Sequence, residues 1–155
     1  MLADVVSKNG NLLINVVQYP DGALPPESQR FLAEMKAWMT VSGEAIHGTR
    51  PWKIYGEGPT QVAAGAFKES AAYTARDNRF TTKADAIYAI TLAQPTGAVV
   101  IKALGRNAGH EQRPVRRVRM LGTAAESRFT QSDGALRIDL DGSVAPGACA
   151  FRIEF

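Results

Sequence analysis

The sequence predicts a mainly β chain: a C-terminal antiparallel β-sandwich, preceded by one orphan strand–helix unit from a sheet of another kind. Three observations predict it. Beyond residue 50 apolar and polar residues alternate with a period of two: Leu136, Ile138 and Leu140 against Arg137, Asp139 and Asp141, then Phe151, Ile153 and Phe155 against Arg152 and Glu154. Strands with one wet face of this kind build antiparallel sandwiches. Before residue 50, Phe31, Met35, Trp38 and Met39 recur at helical spacing. Between Asn11 and Val17, however, Leu12, Leu13, Ile14, Val16 and Val17 leave almost no polar position. A strand without alternation is buried on both faces, which is the condition of a parallel sheet covered by helices.

Each element has a local cause. Leu2, Val5 and Val6 form a helical stripe over residues 1–7, closed by Lys8-Asn9-Gly10. The doubly buried strand follows at 11–17. Tyr19-Pro20-Asp21-Gly22 reads as a turn, because Pro fixes one φ and Gly accepts a positive one. Pro25 and Pro26 suit the first turn of the next helix, where no donor is needed, and Glu27 suits its positive end. Gly43 weakens that helix and Gly48 ends it. Trp52 to Tyr55 opens the first sandwich strand. Asp85–Leu92 and Ala98–Leu104 read as two strands joined in a hairpin through Gln94-Pro95-Thr96-Gly97. The boundary falls near Thr49, giving domains at 1–49 and 50–155. A single strand–helix unit cannot cover both faces of its own strand, so residues 1–49 read as the last piece of a larger parallel α/β domain.

Composition fits this picture. In 155 residues, 45% apolar and 21% charged, there is material for one sizeable core or two small ones. The net charge of +3 is too mild to imply a nucleic-acid or membrane partner, and no apolar run reaches the roughly 18–20 residues of a spanning helix. Met1 to Asp4 shows no basic region leading into an apolar stretch, hence no secretory signal. One cysteine, Cys149, excludes an internal disulfide.

Three stretches carry a resemblance: "SKNGNLLINV", "GEAIHGTRPWKIYGEGP" and "FTTKADAIYAITLAQP". They resemble the bacterial α-L-fucosidases, retaining glycoside hydrolases in which a (β/α)8-type barrel precedes a C-terminal β-sandwich. The resemblance implies that 1–49 is a remnant of that barrel, its last strand and helix, and that 50–155 is the sandwich bracing it. The family commonly has an apolar residue inside a helix where this chain has Met1, so the resemblance implies a C-terminal fragment of a longer protein. The implied activity is hydrolysis of terminal α-L-fucosyl linkages of glycoconjugates, with a fucosylated glycan as partner and no cofactor. Family members are often secreted, periplasmic or lysosomal; this chain carries no sign of which. Family chemistry uses an Asp nucleophile and a separate acid/base, about 5–5.5 Å apart. Neither motif occurs here, so the chain alone is expected to be inactive.

At the C-terminal end of a barrel strand, where such enzymes build their sites, the resemblance places Asn15, Gln18 and Tyr19 as substrate-binding candidates. Val17-Gln18 departs from the Pro common there in the family. Other features read as structural. Asp139 and Asp141 form a solvated face. The run Arg113 to Arg119 lacks interleaved aromatics and reads as an exposed strand face with arginine stems over apolar surface. His47 and His110 have no ligand cluster around them, so no metal is expected. The alternative reading is a stand-alone carbohydrate-binding or protein-interaction sandwich. Trp52, Tyr55, Tyr73 and Tyr88 would then form an exposed platform, and burial of Trp52 and Tyr88 would count against it. With its barrel surfaces uncovered, the fragment is expected to self-associate.

Overall fold

The computed structural model describes residues 1–60, 72–140 and 147–155. Its elements are α1 (Leu2–Ser7), α2 (Pro26–Ser42), β1 (Arg50–Glu57), β2 (Asn78–Lys83), β3 (Ala86–Thr91), β4 (Val99–Ile101), β5 (Arg117–Met120), β6 (Phe129–Gln131), β7 (Leu136–Ile138) and β8 (Cys149–Glu154). The strands form two antiparallel sheets, one of five strands in the order β1-β2-β3-β8-β5 and one of three, β4-β7-β6.

Alternation decides which side chain meets which layer. Phe80, Ile87, Ala89, Val118, Phe151 and Ile153 point from the large sheet toward Val99, Ile101, Leu136 and Ile138 of the small one, and together make the main core. The register supports it, since Ile87 lies opposite Ile153 and Ile153 opposite Val118. The intervening residues Ala86, Tyr88, Ile90 and Ala150 face the other way. There they form a second cluster with Ala3 of α1, Ala45 just after α2, and Trp38. Strand β3 is therefore buried on both faces along its whole length. Helices cover the back of the sandwich, giving three layers.

Two expectations change on the structure. Gln94 to Gly97 does not close a hairpin, because β3 has β2 on one side and β8 on the other. With both edges taken, the chain must leave the sheet, and β4 pairs with β7 in the opposite layer. The strand read over 98–104 stops at Ile101, where Lys102–Leu104 tightens into a 3-10 turn. Both Glu57 carboxylate oxygens accept that turn's backbone N–H groups, from Lys102 at 2.8 Å and Ala103 at 2.7 Å, which ties the two sheets together.

The second change concerns 11–17. The segment forms no helix and joins no strand among the described residues. Leu12, Ile14 and Val16 are half-buried, while Leu13 is 88% exposed and Val17 68%. Its residues have the composition of a doubly covered strand and lack the covering sheet.

Candidate functional site

The three candidate residues lie on the segment that leaves α1 and enters α2. Asn15, Gln18 and Tyr19 are all exposed. The turn after them forms as its composition predicts. Tyr19 N–H donates to Ala23 O at 2.8 Å, Gly22 N–H donates to Tyr19 O at 2.9 Å, and Gly22 takes φ +84°. Asp21 Oδ1 accepts Ala23 N–H at 3.0 Å. This segment is fixed at both ends, by the seating of α2 and of α1 on the large sheet.

The seat of α2 centres on Glu44. Tyr88, Arg152 and Arg119 lie in one row across β3, β8 and β5. All three converge on this one carboxylate: Tyr88 Oη donates to Oε1 at 2.8 Å, Arg152 Nη1 donates to Oε1 at 2.9 Å, and Arg119 Nη2 pairs with Oε2 at 3.6 Å. Burial opposes ionisation of Glu44, but the Tyr88 hydrogen bond and the Arg152 charge outweigh it and hold its pKa below the usual value. Burial, with the same carboxylate alongside, pushes the Tyr88 phenol up to about 12, so it remains a donor. Trp38 Nε1 donates to Ala148 O at 2.8 Å, and Thr81 Oγ1 to Ala45 O at 2.7 Å.

The seat of α1 centres on Arg79, a buried guanidinium only 4% exposed. Its Nε donates to Asp4 Oδ1 and its Nη1 to Asn78 O at 3.0 Å. The rings of Tyr55 and Tyr73 lie 5.5 and 5.2 Å from it. Lys8 Nζ reaches Asp4 Oδ2 at 3.0 Å and stands 4.9 Å from the Tyr55 ring. The helix face against the sheet carries Ala3 and Ser7, both buried, rather than the expected stripe of Leu2, Val5 and Val6, which stays half-buried.

The remaining features have structural partners. Tyr88 is 2% exposed, and Trp52 is half-buried with its ring edge-on to Phe80 at 5.4 Å. The aromatic residues therefore form no common exposed platform. Arg113 forks onto Glu111 at 3.0 Å and Arg117 meets Glu126 at 2.8 Å, with Val115 and Val118 buried; the expected strand begins only at Arg117, so Arg113 to Arg116 precede it as a non-strand segment. Asp139 is half-buried and accepts Arg137 Nε at 3.2 Å; Asp141 lies outside the described residues. Cys149 is buried, and burial pushes its thiol up to about 11. Among the described residues no three His, Cys, Asp or Glu side chains group so as to hold a metal, and no helix is long and apolar enough to cross a membrane. Sequence reasoning missed Glu44 and Arg79. The one available signal was a charged residue inside an otherwise apolar context: Arg79 beside Phe80, and Glu44 between Gly43 and Ala45.

Comparison with known proteins places this arrangement. Residues 1–44 match the family model described as Alpha-L-fucosidase. An α-L-fucosidase of Branchiostoma floridae is 31% identical over 135 residues, covering 87% of this chain and 26% of that protein. The human tissue α-L-fucosidase is 30% identical over 99 residues, 64% of this chain and 18% of that protein. Among solved structures, the Thermotoga maritima α-fucosidase superimposes with a TM-score of 0.71 at 27% identity, covering 97% of this chain and 32% of that one. The chain thus spans about a quarter of the length of the Branchiostoma relative. In sequence and in fold, it corresponds to a C-terminal portion of an α-L-fucosidase-family glycoside hydrolase.

Proposed function

We propose that this chain is the C-terminal part of a longer enzyme that hydrolyses terminal α-L-fucosyl linkages of glycoconjugates. In this reading residues 1–49 complete the catalytic barrel and 50–155 form the sandwich that braces it. The observation that carries the reading is the segment 11–17, which pairs with no strand among the described residues and leaves Leu13 and Val17 exposed. A neighbouring parallel strand on each side would satisfy its backbone and bury Leu13 and Val17. Asn15, Gln18 and Tyr19 then stand at and just beyond the C-terminal end of a barrel strand, where hydroxyl-bearing substrates are bound in that architecture. The nucleophile and the acid/base come from the remainder of the barrel. The burial of Tyr88 disfavours a stand-alone glycan-binding sandwich.

The test is hydrolysis of an aryl α-L-fucoside by two proteins. One is the chain alone. The other is a fusion in which it replaces the matching third of the Thermotoga maritima enzyme. The fusion is expected to turn over substrate and the chain alone is expected not to. Activity of the chain alone that disappears on changing one of its own carboxylates would overturn the reading.

A further inference from the structure

A six-residue helix is too short to persist on its own in water, yet α1 keeps three capping hydrogen bonds, from Lys8, Asn9 and Gly10 N–H to the Val5 and Val6 carbonyls. Besides the burial of Ala3 and Ser7, what holds it is a charged grip by one residue of the sandwich. Arg79 is buried, lies near the rings of Tyr55 and Tyr73, and among the described residues hydrogen-bonds outside β2 to Asp4, 75 residues earlier in the chain. The exit from α1 leaves little play. Asn9 adopts φ +62°, and a Cβ on Gly10 would come within 2.9 Å of Val5 Cγ1, so the chain turns tightly against the helix before entering 11–17. The direction of that segment is therefore set where α1 is set.

We propose that Arg79 is a positioning residue for the fucosidase reaction: by holding Asp4 it fixes where the 11–17 strand leaves the sandwich, and so where Asn15, Gln18 and Tyr19 stand relative to bound sugar. This rests on the proposed function, and it adds a role for the sandwich beyond bracing. A displacement of about 1 Å at a binding group costs up to about a hundredfold in rate.

The test uses Arg79→Met and Asp4→Ala, two variants that cut the same contact from opposite ends. In the 155-residue chain, amides of Lys8, Asn9 and Gly10 are expected to exchange at least about tenfold faster, while those of β3 and β8 keep their protection. In the fusion with the Thermotoga maritima barrel, with active sites counted by a mechanism-based inhibitor, KM for the aryl fucoside is expected to rise and kcat to fall. The pH profile should stay unchanged, since no catalytic carboxylate is touched. A purely structural role would lower the number of active sites and leave KM per site intact. Unchanged exchange at α1 in both variants would overturn the grip. Faster exchange with KM and kcat unchanged would overturn the positioning role alone. A wild-type fusion that hydrolyses nothing would overturn the fucosidase reading and this proposal with it, whatever the exchange shows.

Discussion

Glu44 stands over Tyr88 with 2.8 Å between carboxylate and phenol oxygen, and the row continues through Arg152 and Arg119 on the next two strands. One residue in the 3-10 turn just after α2 therefore closes three side chains of the sheet. Replacing it by Gln leaves the Tyr88 hydroxyl a weaker acceptor and takes the Glu44 charge from both guanidiniums, Arg152 keeping Glu154 at 2.9 Å. Hydrogen bonds to charged groups contribute about 1.5–3 kcal/mol. Glu44 and both arginines are partly in water, so screening brings the expected loss for Glu44→Gln to about 1–2 kcal/mol. Thermal unfolding checks it, with Tyr88→Phe expected to cost less because both arginines keep Glu44.

Acid should weaken the sandwich progressively between pH 4.5 and about 2. The Arg113 guanidinium, hydrogen-bonded to Glu111, outweighs burial and holds the Glu111 pKa down at about 2 from an ordinary 4.5. A folded-state pKa below the unfolded one gives stability that is fully present above pH 4.5 and is lost as pH falls through about 2. Glu44, Asp4 and Asp77 shift in the same direction. In Glu111→Gln the thermal midpoint should fall less steeply between pH 4.5 and 2 than in the parent chain. Parallel curves would contradict the assignment.

Asp77 closes the β1–β2 connection. Its carboxylate accepts Thr60 N–H at 2.9 Å, Thr60 Oγ1 at 2.8 Å, Thr74 N–H at 2.7 Å and Thr74 Oγ1 at 2.8 Å. Burial works against its charge, and these bonds, led by Thr74 N–H, outweigh it. Asp77→Ala is expected to cost about 2 kcal/mol, since the half-buried Thr60 and the exposed Thr74 lose a charged acceptor that is itself buried. Gly58→Ala should also destabilise: Gly58 has φ +142°, and its Cβ would lie 2.3 Å from Asp77 Oδ1. Denaturant midpoints of the two variants provide the check.

Local chemistry was legible in the sequence wherever one residue type forces one conformation. Asn9 and Gly22 do take positive φ, Pro26 does start α2, and Leu136, Arg137 and Ile138 do alternate buried, exposed, buried. Strand pairing was not legible. Whether Gln94 to Gly97 turns back or crosses over depends on β8, which begins only at Cys149 and takes the free edge of β3. The helix faces were half legible. The apolar stripe Leu2, Val5, Val6 was read as the buried one, but Asp4 turns the helix by reaching for Arg79, which no local pattern announces. Of the candidate site, Asn15, Gln18 and Tyr19 were placed through family resemblance, and the structure leaves them exposed.

Uncovered apolar surface should make the isolated chain associate. Leu13 and Val17 are largely exposed, Leu32 and Val41 of α2 partly so. Each large apolar side chain left in water forfeits roughly 1.5–3 kcal/mol of burial. The unpaired backbone of 11–17 is also a template for a second copy. Sedimentation at several concentrations is expected to show dimers or larger species that diminish on deleting residues 1–22. A monomer throughout, unaffected by the deletion, would show that this surface drives no association.

The most direct measurement is hydrogen exchange at the amides of residues 12–17, first in the chain alone and then in the fusion carrying the Thermotoga maritima barrel. These amides have no strand partner among the described residues, so they should exchange near the unprotected rate in the isolated chain at concentrations where it is monomeric, while β3 stays protected. In the fusion they should gain protection comparable to a central strand. Strong protection of 12–17 in the isolated monomer, or none in an active fusion, would contradict the claim that this segment is a barrel strand separated from its sheet.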